Sequence, residues 1–252
     1  MVDTHCHIHF DDYGLSPDEA ISDALKEGVD RLLCVGCTLE DSKYGVEFVQ
    51  TRPNCWATIG VHPHESRHYD DLSKLDVLTE LAENFKVVGI GEIGLDYHYN
   101  NSDKKSQTRV LEYQLDIAQK HNLPVVFHVR EAFDDFWPVF NNFRGLRGVI
   151  HSFTGNTDVL DEILSHGLYV GLNGIMTFTK DQKQLEMAKA LPLGRMVLET
   201  DAPFLTPNPF RGTICQPKHV LVTAKFLADL RGEPLESINT RTTSNARQLF
   251  NI

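Results

Sequence analysis

Val87-Val88-Gly89-Ile90-Gly91-Glu92-Ile93-Gly94 decides the fold. Its glycines match G-x-G-x-x-G, the phosphate-binding turn of dinucleotide folds. That turn has to open directly into a helix whose N-terminal N–H groups face a pyrophosphate. Here Leu95-Asp96-Tyr97-His98-Tyr99-Asn100 follows, a loop-like run. A carboxylate inside the turn, Glu92, would also repel phosphate. The dinucleotide reading fails. What remains is a buried strand that delivers Glu92 at its end, with glycines that let the backbone bend around the carboxylate.

Short apolar or β-branched runs of the same kind recur on both sides of it. Strands are expected at 1–5, 31–37, 55–61, 87–92, 124–129, 148–151, 168–172 and 196–199. Between them, apolar residues fall at helical spacing. Leu72, Leu75, Leu78, Leu81 and Phe85 mark one helix, and Leu111, Leu115 and Ala118 a second, flawed by the polar Gln114. Leu221, Ala224, Leu227 and Ala228 mark a third, and 18–27, 39–50, 131–142, 158–165 and 182–190 complete the set. Eight strands each followed by a helix specify the α/β class and a single (β/α)8 TIM barrel. An extra C-terminal helix is expected at 235–249. No repeat or linker divides the chain, so 1–252 reads as one domain. The longest irregular stretches, 94–104 and 203–217, both follow strands, where a barrel keeps its chemistry.

Composition bounds the function. The chain has 252 residues, 41% hydrophobic and 23% charged, which is ordinary globular composition and excludes disordered, collagenous and coiled-coil classes. No apolar run approaches a membrane span, and Met1-Val2-Asp3-Thr4-His5-Cys6-His7 has no signal-peptide character, so a cytoplasmic protein is expected. A net charge of −11 argues against a long duplex held by phosphate contacts. It leaves room for a small phosphate cleft charged by divalent cations. Cys34 and Cys37 form C-x-x-C, but residues three apart on a strand face opposite ways, so they read as small buried hydrophobes.

The ionisable residues fall at one end of the strands. His5 and His7 follow the first run, His62 the third and Glu92 the fourth; His128 ends the fifth, His151 the sixth, and Asp201 follows the eighth. Barrels build active sites on that face. On extended backbone, residues i and i+2 point the same way, so the H-x-H of His5 and His7 can serve one metal. His5, His7, Glu92, His128, His151 and Asp201 are too many for one tetrahedral site. Two divalent ions bridged by a carboxylate fit better. Nitrogen and oxygen ligands suit Zn²⁺, Mn²⁺, Co²⁺ or Mg²⁺ without choosing among them. Two readings stay open for His62 and His64 (site residues or solvated turn residues) and for Arg130 (an anion clamp or a salt bridge). Arg211 lies on the loop after the eighth strand, near the usual barrel phosphate site.

Thr4-His5-Cys6-His7, Gly60-Val61-His62-Pro63-His64, the 89–97 run, Phe127-His128-Val129-Arg130-Glu131-Ala132, His151-Ser152-Phe153-Thr154-Gly155 and Leu198-Glu199-Thr200-Asp201-Ala202-Pro203 occur in one order along the chain. Together they resemble the TatD-type deoxyribonucleases of the metal-dependent amidohydrolase superfamily. The resemblance implies a magnesium-favouring nuclease removing nucleotides from 3′ ends of DNA, preferably single-stranded. It implies one metal on His5, His7, Glu92 and Asp201 and a second on Glu92, His128 and His151, with Glu92 bridging. His62 and Arg130 would contact the substrate phosphate, and Asp201 would accept the proton of the attacking water. The substrate would be DNA ends or short oligonucleotides, with no membrane and no obligate protein partner. One departure stands out: Cys215-Gln216-Pro217 occupies the place of the usual Asn-Glu-Pro, so the contacts of that Glu are in question. Two rival functions keep the same residues. One is a carbonyl hydrolase acting on an ester or amide, including the ester of a misacylated (D-aminoacyl) tRNA. The other is a barrel that binds metal without catalysis.

Overall fold

The computed structural model describes residues 1–252. The strands are β1 (Val2–Cys6), β2 (Arg31–Val35), β3 (Cys55–Ile59) and β4 (Val87–Asp96), then β5 (Val125–Arg130), β6 (Gly148–Ile150), β7 (Tyr169–Leu172) and β8 (Met196–Leu198). The helices are α1 (Pro17–Lys26), α2 (Leu39–Gln50), α3 (Asp76–Leu81), α4 (Lys104–His121) and α5 (Phe133–Phe140). They continue with α6 (Thr157–Ser165), α7 (Gln182–Ala190), α8 (Val220–Arg231) and α9 (Leu235–Phe250). The strands follow the order β1 to β8, the parallel (β/α)8 barrel class, and α9 is the extra C-terminal helix. No helix is long and apolar enough to cross a membrane.

The chain falls into two compact units, a terminal one of 1–34 and 152–252 and a central one of 35–151. In the terminal unit β1 pairs in parallel with β2, and β7 with β8. A further parallel bridge joins Cys6, the last residue of β1, to Ala202 beyond the end of β8. Buried Asp3 fixes this junction: Oδ1 accepts from Thr200 N at 2.9 Å and from His5 N at 3.3 Å, and Oδ2 from Thr200 Oγ1 at 2.6 Å.

In the central unit β3, β4, β5 and β6 pair in parallel. Three expectations change here. The first is that β4 ends near Glu92; it runs on to Asp96, because Ile93, Gly94, Leu95 and Asp96 stay in register with Phe127, His128, Val129 and Arg130 of β5. Gly94 makes this possible, since a β-carbon there would run into the His128 carbonyl oxygen. The second concerns Cys37. The strand stops at Val35, and Cys37 lies in the turn before α2, its N–H donating to Asp41 Oδ2 at 2.7 Å rather than to a strand ladder. The 72–85 helix shortens to a 3₁₀ turn, Leu72–Leu75, followed by α3.

Helix α4 explains its own flaw. Gln114 is fully buried, its Oε1 accepting from Val61 N at 2.7 Å and its Nε2 donating to Val61 O at 3.1 Å. Two turns earlier Gln107, also fully buried, accepts from Asp96 N at 2.7 Å and donates to Asp96 O at 3.0 Å. The polar positions on the apolar face of α4 are backbone clamps. They satisfy peptide groups where β3 and β4 end, which unpaired would cost about 1–3 kcal/mol each.

Candidate metal centre

In the terminal unit, alternation along β1 sends His5 and His7 to the same side. Their Nε2 atoms stand 3.1 Å apart, and Asp201 Oδ1 lies 3.6 Å from the first and 3.5 Å from the second. Both imidazoles are buried. Asp201 reaches them from a backbone with φ of 63°, a left-handed conformation that Asp tolerates better than most residues. Its N–H donates to His5 O at 2.8 Å, and His7 N–H to Ala202 O at 2.6 Å, so the backbone itself sets the spacing. Three ligand atoms each about 2.0–2.2 Å from one divalent ion stand roughly 3–3.6 Å apart. The three side chains fit an ion of that size without rearrangement. Burial pushes Asp3 up to about 8, against the hydrogen bonds from Thr200 and His5 that favour its charged form.

In the central unit the acceptor atoms gather on Glu92. His128 Nδ1 lies 2.8 Å from Glu92 Oε1, while His62 Nε2 and His151 Nε2 each lie 3.6 Å from it. The Cys37 thiol stands 4.0 Å from Glu92 Oε2. His128 Nε2 meets Asp96 Oδ2 at 2.9 Å, and His64 Nε2 meets the same oxygen at 3.0 Å. Asp96 Oδ1 accepts from His98 N and Tyr99 N, both at 3.0 Å. Burial opposes its charge, yet the hydrogen bonds from His128, Tyr99 N–H and His64 outweigh burial and hold Asp96 well below the usual carboxylate range. His128 shows the reciprocal effect: burial lowers it, the bonds to Asp96 and Glu92 raise it, and the net shift is upward.

His62 has a different character. Burial and the neighbouring His128 push it down to about 3, so its ring is neutral near neutral pH. Its Nδ1 accepts from His64 N–H at 3.2 Å, which leaves the ring proton on Nε2. A neutral imidazole in that tautomer is a donor. The distances group His62 with Glu92 and His128 as ligand-type atoms, but the tautomer makes it a hydrogen-bond donor whose Nε2 lies 3.6 Å from Glu92 Oε1.

Arg130 is exposed, with its guanidinium 4.8 Å above the Tyr99 ring and no carboxylate partner, so the salt-bridge reading of this residue fails. Arg211 likewise has no carboxylate; one Nη1 donates to Thr206 O at 2.9 Å, and the group lies 4.1 Å over Phe178.

The model of the family described as TatD related DNase matches residues 2–251. The chain belongs to the TatD-related DNase family. It is 35% identical to the uncharacterized metal-dependent hydrolase YabD of Bacillus subtilis, over 100% of this chain and 99% of that one. It is 31% identical to the 3′-5′ ssDNA/RNA exonuclease TatD of Escherichia coli, over 100% of this chain and 99% of that protein. Among solved structures, the E. coli TatD homologue YJJV superimposes with a TM-score of 0.92 at 28% identity, covering 100% of this chain and 98% of the other. This chain is thus a metal-dependent hydrolase of the TatD family.

Within that family frame, the departure at Gln216 has a local answer. Its side chain accepts from the backbone N–H of His219, and its own N–H donates to His219 Nδ1 at 3.1 Å, capping the 3₁₀ turn Pro217–His219 ahead of α8. A neutral amide oxygen performs that capping as a carboxylate would. The sequence left His64 open between site and turn residue, and it gave Asp96 no role in the site. The available signal was Asp96 at an even spacing from Glu92, which places both on one side of an extended strand.

Proposed function

We propose that the protein is a divalent-metal-dependent 3′→5′ exonuclease cleaving phosphodiester bonds at single-stranded DNA ends or short oligonucleotides. The observation that carries this reading is six residues with nitrogen or oxygen donor atoms: His5, Glu92 and His128 in the C-terminal halves of β1, β4 and β5, and His7, His151 and Asp201 just past the ends of β1, β6 and β8. In this reading 1–252 acts as one catalytic domain. Two ions (Mg²⁺, Zn²⁺ or Mn²⁺) would be held, one by His5, His7, Glu92 and Asp201 and the other by Glu92, His128 and His151. Such ions lower the pKa of water and offset charge on phosphate oxygens.

The protein's own groups divide the remaining work. Asp201 accepts the proton of the attacking water. Glu92 would serve both ions and, through His128, is tied to Asp96. The Nε2–H of His62 donates to a phosphate oxygen. Arg130 and Arg211, each without a carboxylate, contact substrate phosphates. The nuclease name of the E. coli relative supports the bond type. The five cysteines are all free, compatible with the reducing, cytoplasmic setting we propose, and the reading requires no obligate protein partner.

The test is a screen of chelated protein, with each ion added back, on a single-stranded oligonucleotide and on an ester and amide panel that includes D-aminoacyl-tRNA. Release of 3′-terminal nucleotides that vanishes on chelation and returns with an ion is the expected result. Turnover of the esters or amides alone would move the assignment to a carbonyl hydrolase. No turnover with any ion would favour a barrel that binds metal without catalysis.

A further inference from the structure

The loop after β8 is firmly tied, yet it holds aromatic rings in water. Phe204 N donates to Asp201 O at 2.8 Å and Cys215 N to Pro203 O at 3.0 Å. Thr206 Oγ1 donates to Thr213 O at 2.6 Å, and Asn208 N to Thr177 Oγ1 at 2.8 Å. Fraying therefore does not account for the exposure of Phe204, which is 53% accessible. The only aromatic ring near it is that of His7, with centroids 6.4 Å apart. Phe204 also follows Asp201 by three residues, so its open face is anchored directly to the terminal ligand cluster.

Isolated exposed phenylalanines are common and call for no explanation. One fixed beside a metal-type cluster is different. A nucleotide whose phosphate sits at His5, His7 and Asp201 carries its base one sugar away, within reach of this ring. Aromatic side chains beside a phosphate path are how single strands are gripped without sequence preference, because every base has a π-face.

We propose that Phe204 is the stacking platform for the nucleobase flanking the cleaved phosphodiester. The inference rests on the nuclease reading above and deepens it. Only a base released from its helical stack can lie on the ring, so Phe204 makes a single-stranded end the better substrate. Arg211, on the same loop over Phe178, would hold a neighbouring phosphate while the base rests on Phe204.

The experiment compares the parent protein, Phe204→Ala and Phe204→Trp, each metal-loaded. The two substrates are a short single-stranded oligodeoxynucleotide and the same strand with its two 3′-terminal residues abasic. Phe204→Ala is expected to raise KM for the base-bearing strand about 5- to 150-fold, the range of one base–aromatic stack. It should leave the abasic strand unchanged, and Phe204→Trp should restore the parent value. Equal losses on both strands would mean that Phe204 supports the loop and not the base. No loss on either strand would remove it from the site. Both outcomes overturn this inference while the parent still cleaves DNA. Failure of the parent to cleave either strand would instead overturn the nuclease reading, and the inference with it.

Discussion

The terminal and central clusters use the same side-chain types in opposite states of readiness. Around His5, His7 and Asp201 the atoms stand 3.1–3.6 Å apart, the spacing of ligands around an ion. Around His128 both ring nitrogens lie at 2.8 and 2.9 Å from carboxylates, which is hydrogen-bonding distance. The terminal set is shaped for a cation by its backbone. The central set is hydrogen-bonded within itself, so an ion there would have to replace the contacts of His128 with Glu92 and Asp96. Preorganisation by backbone and preorganisation by side-chain hydrogen bonds are distinct devices, and they should respond differently to mutation.

The largest expected effect breaks the terminal set at its chemistry. Asp201→Asn keeps the side-chain shape but removes the proton acceptor, so kcat should fall about 10²–10⁴-fold while bound metal, measured by elemental analysis, is partly retained. Parent-like turnover at full metal occupancy would make Asp201 a ligand only and place the base elsewhere. Next comes the support of the central set. Asp96→Asn leaves His128 without one of its two anionic partners and should weaken the binding of one ion about 10–100-fold by metal titration, leaving the other nearly unchanged. Equal weakening of both ions would abolish the distinction between the clusters.

Two smaller effects sharpen it. Gln114→Leu leaves the Val61 N–H and C=O without their clamp and should cost about 2–4 kcal/mol in denaturant unfolding, with KM raised through the displaced His62. An unchanged unfolding midpoint would show that the clamp is dispensable. The smallest effect lies in the terminal unit. Burial first, and then the Lys218 charge, push His219 down to about 4. The unfolded chain takes up a proton near 6.5 and the folded chain does not, so the folded-state advantage is complete above about 6.5 and is lost as pH falls toward 4. The melting temperature of the parent should drop across that window by more than that of His219→Gln. Parallel curves would assign the acid sensitivity to other groups.

The fold was readable because the sequence repeats one statement: an apolar run, then a helix with one apolar face. The candidate ligand residues were readable because each lies at or after such a run, as His128 follows Val125-Val126-Phe127. Asp96 was hidden for a physical reason. Glycine and aspartate are poor strand formers, and β4 extends through Gly94 and Asp96 only because the facing β5 continues the ladder to Arg130. Long-range pairing of that kind leaves no local trace. Gln107 and Gln114 were hidden by the opposite error. A polar residue on an apolar helical face looks like a fault until its partner, the backbone at Asp96 or Val61, comes into view.

Those two glutamines also restrict how the gene can vary. Seven residues separate Gln107 from Gln114, close to two turns, so both amides leave α4 on one side. Inserting or deleting a single residue between them would swing one amide about 100° around the axis and away from its strand end. The helix is therefore fixed in phase over that interval, and length changes among functional variants should fall before Gln107 or after Gln114, never between them.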